Sequence, residues 1–203
     1  MKKGLCEIIV VADRSGSMEV IKNDAIGAFN NFLEEQRKAP GEALLTYAQF
    51  DDAYDIVHLG VPIKDVPKLN HSTYSPRGST ALLDAVGRTI DEVGKHLSDT
   101  PENRRPERVV FVILTDGQEN SSKIFSRIQI FDKIKLQREA YKWEFLFLAA
   151  GPDAFEEAAA IGMLQNQTYQ YAQGSGHAHN ASVTLMSRCV ADYRAGDKPI
   201  INP

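Results

Sequence analysis

Asp13, Ser15 and Ser17 stand at alternate positions in "VVADRSGSME" (10–19), directly after the apolar run from Ile8 to Ala12. In a chain leaving a strand in extended form, alternate side chains share one face. One carboxylate and two hydroxyls would then present hard oxygen donors together. Two other segments carry the same chemistry. Asp116 closes the apolar stretch "RVVFVILTDG" (108–117), and Thr80 ends "SPRGST" (75–80), a glycine-containing loop ahead of a helical pattern. Two carboxylates and three hydroxyls suit a hard divalent cation. Near-octahedral Mg²⁺ is the first choice and Mn²⁺ the second, whereas Zn²⁺ would want His or Cys.

The charge balance suggests a use for such a site. Two aspartates formally neutralise a dication, and the hydroxyls add no charge. If the carboxylates lie mainly behind bound water, the ion keeps much of its pull on a further ligand. An open sixth position favours an anionic oxygen, such as a carboxylate of another protein. That is a metal-bridged docking site.

These residues need elements to position them. "CEIIVVA" (6–12) reads as a buried strand because it is rich in β-branched residues. Ile21, Ala25, Phe29 and Phe32 mark one face of a helix over about 19–36, which "APG" (39–41) ends. "ALLTYAQF" (43–50) and "YDIVHLG" (54–60) flank the short turn "DDA", as an antiparallel hairpin at a sheet edge would. Leu82 or Leu83, Val86, Ile90, Val93 and Leu97 predict the next helix. The 108–117 strand follows, then a helix with Ile124, Ile128, Phe131 and Ile134 expected inward, and the strand "EFLFLAA" (144–150). A short helix over 153–162, a strand over 167–172 and a final helix over 181–195 complete the pattern.

Strands separated by helices of this length imply an α/β fold. It is Rossmann-like and doubly wound: a mostly parallel sheet with one antiparallel edge strand and helices on both faces. Ligands of such sheets bind beyond the carboxyl ends of the strands, where "DRSGS" and "TDG" both fall.

Composition narrows the classes. The 203 residues are 43% hydrophobic and 25% charged, those of an ordinary single globular domain. A formal charge of −4 argues against nucleic acid as a partner. The apolar run after "MKKG" is too short for a secretory signal, and no window has the ~18 apolar residues of a membrane helix. Cys6 and Cys189 fit free thiols of a reduced interior, so a cytoplasmic location is expected.

Taken in order, D-x-S-x-S (13–17), Thr80 within "SPRGSTALLDAVG" (75–87) and Asp116 within "ILTDGQEN" (113–120) resemble the metal-ion-dependent adhesion site of von Willebrand factor type A domains. The resemblance spans roughly residues 5–172, with no departure at the five metal positions; the segment after 170–180 has no counterpart. It implies that Ser15, Ser17 and Thr80 ligate Mg²⁺ or Mn²⁺ directly, with Asp13 and Asp116 acting mainly through water. It also implies a non-enzymatic module whose metal takes an exposed Asp or Glu of a partner protein. At family level that partner would be an AAA+ ATPase or a stress-system protein, with no nucleic acid and no membrane involved.

Blander readings exist for each residue. Ser17 could cap a helix, Thr80 could cap the one beginning at Ala81, and Asp116 could open a turn with Gly117. Glu119 and Asn120 read as loop residues near the site, with support of the metal ligands as the alternative; Tyr74 and Arg77 read as an exposed rim, with partner contact as the alternative, and "HAH" (177–179) as a solvated loop. Two alternative functions also stand beside docking: a metal-assisted hydrolase, and a scaffold whose metal is only structural. The hydrolase wants a positioned general base, and no histidine lies within five residues of Asp13, Ser15, Ser17, Thr80 or Asp116. Neither a phosphate loop nor a nucleophile elbow occurs in the sequence.

Overall fold

The central strand, β1 (Lys2–Asp13), buries Ile8, Ile9, Val10 and Val11 almost completely, as a strand covered on both faces must. The computed structural model describes residues 1–172 and 174–196. Gln173 and 197–203, parts of the 173–203 segment to which the sequence assigns no role, lie outside the described residues. A 3₁₀ segment, Gly16–Ile21, follows β1 and leads into α1 (Lys22–Lys38). Next come β2 (Glu42–Phe50), β3 (Tyr54–Pro62), α2 (Leu82–Asp99), β4 (Pro106–Thr115), α3 (Arg127–Tyr141), β5 (Glu144–Ala150), α4 (Ala154–Ala160), β6 (Thr168–Tyr171) and α5 (Gly176–Ala195).

The strands form one sheet in the order β3-β2-β1-β4-β5-β6. All neighbours run parallel except β2 and β3, whose hairpin makes the expected antiparallel edge. Ile8 and Val10 pack with Phe29 and Phe32 of α1 and with Val183 and Met186 of α5. Ile9 and Val11 pack with Val86 and Ile90 of α2, Ile130 and Ile134 of α3, and Ala158 of α4. The chain runs outward from β1 through β2 and, after crossing back, outward from β4 through β5. The strand order therefore reverses between β1 and β4, and their carboxyl ends border the crevice where such sheets bind ligands.

Two expectations need correction here. Ile124, Ile128 and Phe131 do not face inward: they are 53%, 75% and 41% exposed. Ser126 and Gln129 form a reciprocal capping box that starts α3 at Arg127, which leaves Ile124 in the preceding loop. Ile130 and Ile134, one turn apart, then set the buried face and rotate Ile128 and Phe131 away from it. The second correction is "HAH". The Ser175 hydroxyl accepts the N–H of Ala178 at 3.3 Å and starts α5 at Gly176, so both histidines are helical. His179 is buried, edge-on to Tyr171 at 5.1 Å, and burial lowers its pKa to about 4.

One buried carboxylate lies apart from the strand ends. Glu7 is fully buried in β1; Thr46 of β2 donates to its Oε1 at 2.6 Å, while Oε2 meets no hydrogen-bond donor. Burial pushes its pKa from 4.5 up to about 7. The folded state thus holds this proton more tightly than the unfolded chain. The resulting stability is complete below about pH 4.5 and disappears as pH rises through about 7. Glu7→Gln is expected to remove this slope and to stabilise the protein at pH 8 by roughly 1–3 kcal/mol. Urea denaturation of both proteins at pH 5 and pH 8 checks it; an unchanged slope in the variant assigns the effect elsewhere.

Candidate metal centre

Each sequence-selected residue sits at the carboxyl edge of the sheet. Asp13 is the last residue of β1, and Asp116 follows the last residue of β4. Ser15 and Ser17 belong to the turn leaving β1, and Thr80 lies two residues before α2. Asp13, Ser15, Thr80 and Asp116 are all buried. Ser15 Oγ lies 3.1 Å from Ser17 Oγ, and Ser17 Oγ donates to Asp116 Oδ1 at 2.6 Å. With its O–H directed at Asp116, the Ser17 hydroxyl retains lone pairs for another partner.

The strongest geometric sign comes from Gly117. A Cβ built on this residue would lie 3.0 Å from Thr80 Oγ1, 3.6 Å from Ser17 Oγ and 3.8 Å from Asp13 Oδ2. Two chain segments, the turn leaving β1 and the loop before α2, thus bring oxygens within 4 Å of one spot, which a side chain at Gly117 would occupy. The five residues fit a hard divalent cation, since every side-chain donor is an oxygen and two of them, Asp13 and Asp116, are carboxylates. Among the described residues, no group of three or more His, Cys, Asp or Glu could hold a metal. A hydroxyl-rich set is not of that kind.

The electrostatics agree with this fit. Burial pushes Asp13 up to about 6, against hydrogen bonds from Thr115 and Ser15, and the neighbouring Asp116 adds to the rise. Burial raises Asp116 as well. Two carboxylates held together out of water carry negative charge that a dication would offset.

Of the supporting residues, Thr115 and Tyr74 escaped the sequence reading, whereas for Asn120 and Glu119 such a role is one of its alternatives. Thr115 Oγ1 donates to Asp13 Oδ2 at 2.6 Å, and the Ser15 N–H donates to Asp13 Oδ1 at 2.6 Å. Tyr74, expected on an exposed rim, is instead buried and donates to the main-chain oxygen of Asp13 at 2.6 Å. An aromatic ring carrying a hydroxyl gains from burial only when the hydroxyl finds an acceptor, and this strand-end carbonyl supplies one. Asn120 is tied to Thr80: its Oδ1 accepts the Thr80 N–H at 2.9 Å and its N–H donates to the Thr80 carbonyl at 3.1 Å. The Glu119 carboxylate accepts the Leu83 N–H at 2.9 Å, an unpaired donor at the start of α2. That helix has no cap from Thr80; Ala81 stands at its N-cap without a side-chain bond. Ser17 is not a cap either, since Ser15 holds that position of the 3₁₀ segment.

A groove of about 340 Å³ opens beside the site, between the carboxyl ends of β4 and β5. Asp116, Gln118, Asp153 and Glu157 are among its lining residues. On the other side, Asp13 and His179 line a cavity of about 20 Å³, room for roughly one water and for no substrate.

No protein-family model and no curated protein sequence matches the chain. Solved structures do. Proximal thread matrix protein 1 from the mussel byssus superposes with a TM-score of 0.67 at 18% identity, over 97% of this chain and 48% of that one. The chain therefore spans about half the length of the mussel protein. Another structure of that protein has a zinc-occupied metal-ion-dependent adhesion motif. A von Willebrand factor type A protein from Catenulispora acidiphila gives 0.59 at 14% identity, over 95% of this chain and 43% of that one. BatB, a conserved hypothetical protein from Bacteroides thetaiotaomicron, gives 0.58 at 14% identity, over 95% and 100%. At these identities the likeness is one of fold, and the fold is that of von Willebrand factor type A domains. Among the described residues, no helix is long and apolar enough to cross a membrane.

Proposed function

We propose that this chain is a non-enzymatic protein-binding module that captures an acidic residue of a partner protein through a bound divalent cation. Ser15, Ser17 and Thr80 would hold the ion directly, with Asp13 and Asp116 behind water. The observation carrying this reading is that Thr80 Oγ1, Ser17 Oγ and Asp13 Oδ2 all lie within 4 Å of the side-chain position that Gly117 leaves unfilled. When bound, the ion supplies a concentrated positive charge that attracts an anionic oxygen. The chain's own part is to fix the donors. Thr115 and the Ser15 N–H orient Asp13, Asp116 accepts a hydrogen bond from the Ser17 hydroxyl, and Asn120 secures the threonine loop.

The oxygen-only donor set favours Mg²⁺ or Mn²⁺ in this chain, while the mussel neighbour's zinc shows that a comparable motif accepts a different dication. A hydrolase needs a general base within reach of substrate. His179 is a buried imidazole that lines the 20 Å³ cavity beside Asp13, which has no room for a substrate. The partner belongs to the class of proteins exposing Asp or Glu. AAA+ ATPases and stress-system proteins, met in the cytoplasm, are the first candidates, and the net charge of −4 disfavours nucleic acid.

Calorimetric titration of metal-stripped protein with Mg²⁺ and Mn²⁺ is expected to show one site. An array of short peptides read with Mg²⁺ and with EDTA should then retain only Asp- or Glu-bearing sequences, and only with the ion. Binding that survives EDTA, or that tolerates Asp→Asn and Glu→Gln in the peptides, would sink the reading. A site that binds the ion yet changes only stability would favour the purely structural metal.

A further inference from the structure

The loop carrying Ser15 and the loop carrying Thr80 both hydrogen-bond to one side chain of the β2–β3 turn, that of Asp51. Asp51 is completely buried. Its Oδ2 accepts from Arg14 Nε at 2.9 Å and from Arg77 Nε at 2.8 Å, and its Oδ1 accepts the Ala53 N–H at 2.5 Å. Arg14 stands between Asp13 and Ser15, and Arg77 three residues before Thr80. One carboxylate thus clamps the serine loop and the threonine loop together.

The main chain follows the same path. Arg14 N–H donates to Phe50 O at 2.8 Å, Arg77 N–H to Arg14 O at 2.8 Å, Gly16 N–H to Gly78 O at 3.1 Å, and Ala81 N–H to Asp51 O at 2.9 Å. Gly78, at φ +65°, lets the threonine loop lie flat on the turn; a Cβ there would meet Asp52 Oδ1 at 2.0 Å. Arg14 is itself secured by Asp55 at 2.6 Å, and its side chain is 11% exposed, against 63% for Arg77. Burial works to raise the Asp51 carboxyl. The bonds from Arg77 and Ala53 and the Arg14 charge outweigh it, so the carboxyl stays below its ordinary range and remains ionised.

We propose that Asp51 is a positioning residue for the cation site, setting the spacing between Ser15 and Ser17 on one loop and Thr80 on the other. This rests on the cation reading above. Charge-assisted bonds to two guanidinium groups are short and directional, which suits a spacer. The main-chain bonds between these loops do not involve the carboxylate, so the fold does not depend on it alone. The consequence differs between ions. Mg²⁺ demands near-ideal octahedral geometry at about 2.0–2.1 Å, whereas Ca²⁺ accepts about 2.3–2.6 Å and irregular coordination. A loosened spacing therefore harms Mg²⁺ binding far more than Ca²⁺ binding.

The test uses the full chain and its variants Asp51→Asn and Arg77→Met. Mg²⁺ is titrated by calorimetry, Ca²⁺ is read by displacement of Mn²⁺, and the Tm of each metal-stripped protein is recorded. Asp51→Asn is expected to weaken Mg²⁺ by about 10- to 100-fold, the usual range for residues that orient metal ligands. Ca²⁺ should weaken by less than about 3-fold on the same geometric grounds. Arg77→Met, at an exposed position, should reproduce part of the Mg²⁺ loss, and it decides the matter if Asp51→Asn does not fold. Equal weakening of both ions, or unchanged Mg²⁺ affinity in the folded variants, overturns the positioning role while leaving the cation site standing. Wild-type protein that binds neither ion overturns the cation reading and this one with it.

Discussion

Asp13→Ala is expected to abolish divalent-cation binding, a loss of at least about 100-fold, while the sheet stays folded. Asp13 supplies charge to the site and also orients the serine turn through the Ser15 N–H at 2.6 Å. Its loss therefore exceeds the about 10- to 100-fold cost typical of an orienting residue alone. The metal-stripped protein should lose little. Burial and the nearby Asp116 already disfavour the ionised carboxylate, so removing it relieves charge strain even as the Thr115 hydroxyl loses its acceptor. The clean readout is linkage. A ligand at 100 times its Kd stabilises the folded state by about 2.7 kcal/mol, so Mg²⁺ should raise the wild-type Tm and leave that of Asp13→Ala unmoved. A variant whose sheet collapses without metal would show that Asp13 serves the fold first.

Gly117→Ala should have a comparable effect for a different reason. It removes no donor. The added methyl would sit 3.0 Å from Thr80 Oγ1 and within 4 Å of Ser17 Oγ and Asp13 Oδ2, filling the space on which they converge. Gly117 is not among the glycines with positive φ, so alanine costs the backbone little. Cation affinity is expected to fall at least about 100-fold with a small change in the Tm of the metal-stripped protein, since direct steric exclusion exceeds the cost of a misplaced orienting group. Calorimetry on Gly117→Ala beside Gly16→Ala separates the two glycines of these turns. The Gly16 Cβ would touch only the Gly78 carbonyl, at 3.4 Å, so that variant should keep most of its affinity. Undiminished binding by Gly117→Ala would place the ion elsewhere.

Much of the fold was legible because its signals are local. Runs such as 108–115 and 144–150 are apolar on both faces, which suits strands covered on both sides, and all lie where expected. Gly162, at φ +85°, stops α4 as its residue type predicts. The failures share a different origin. The Ile124, Ile128, Phe131 and Ile134 pattern matched a helical period, but the phase of α3 was set by the Ser126 and Gln129 capping box. The histidines of 177–179 sat among glycine and serine, yet Ser175 acted as a cap and not as a linker residue.

By itself, the sequence determined the donor types, their alternate spacing after β1 and the strand ends on which Asp13 and Asp116 stand. Those are properties of single elements, written in periods of two and of three to four residues. Only the tertiary structure decided that Ser17 reaches Asp116, 99 residues away, that Tyr74 turns inward to Asp13, and that one carboxylate at Asp51 serves both loops. Contacts of that kind depend on sheet order and strand register. These in turn arise from burying both faces of β1 and β4 at once, and no local pattern carries that information.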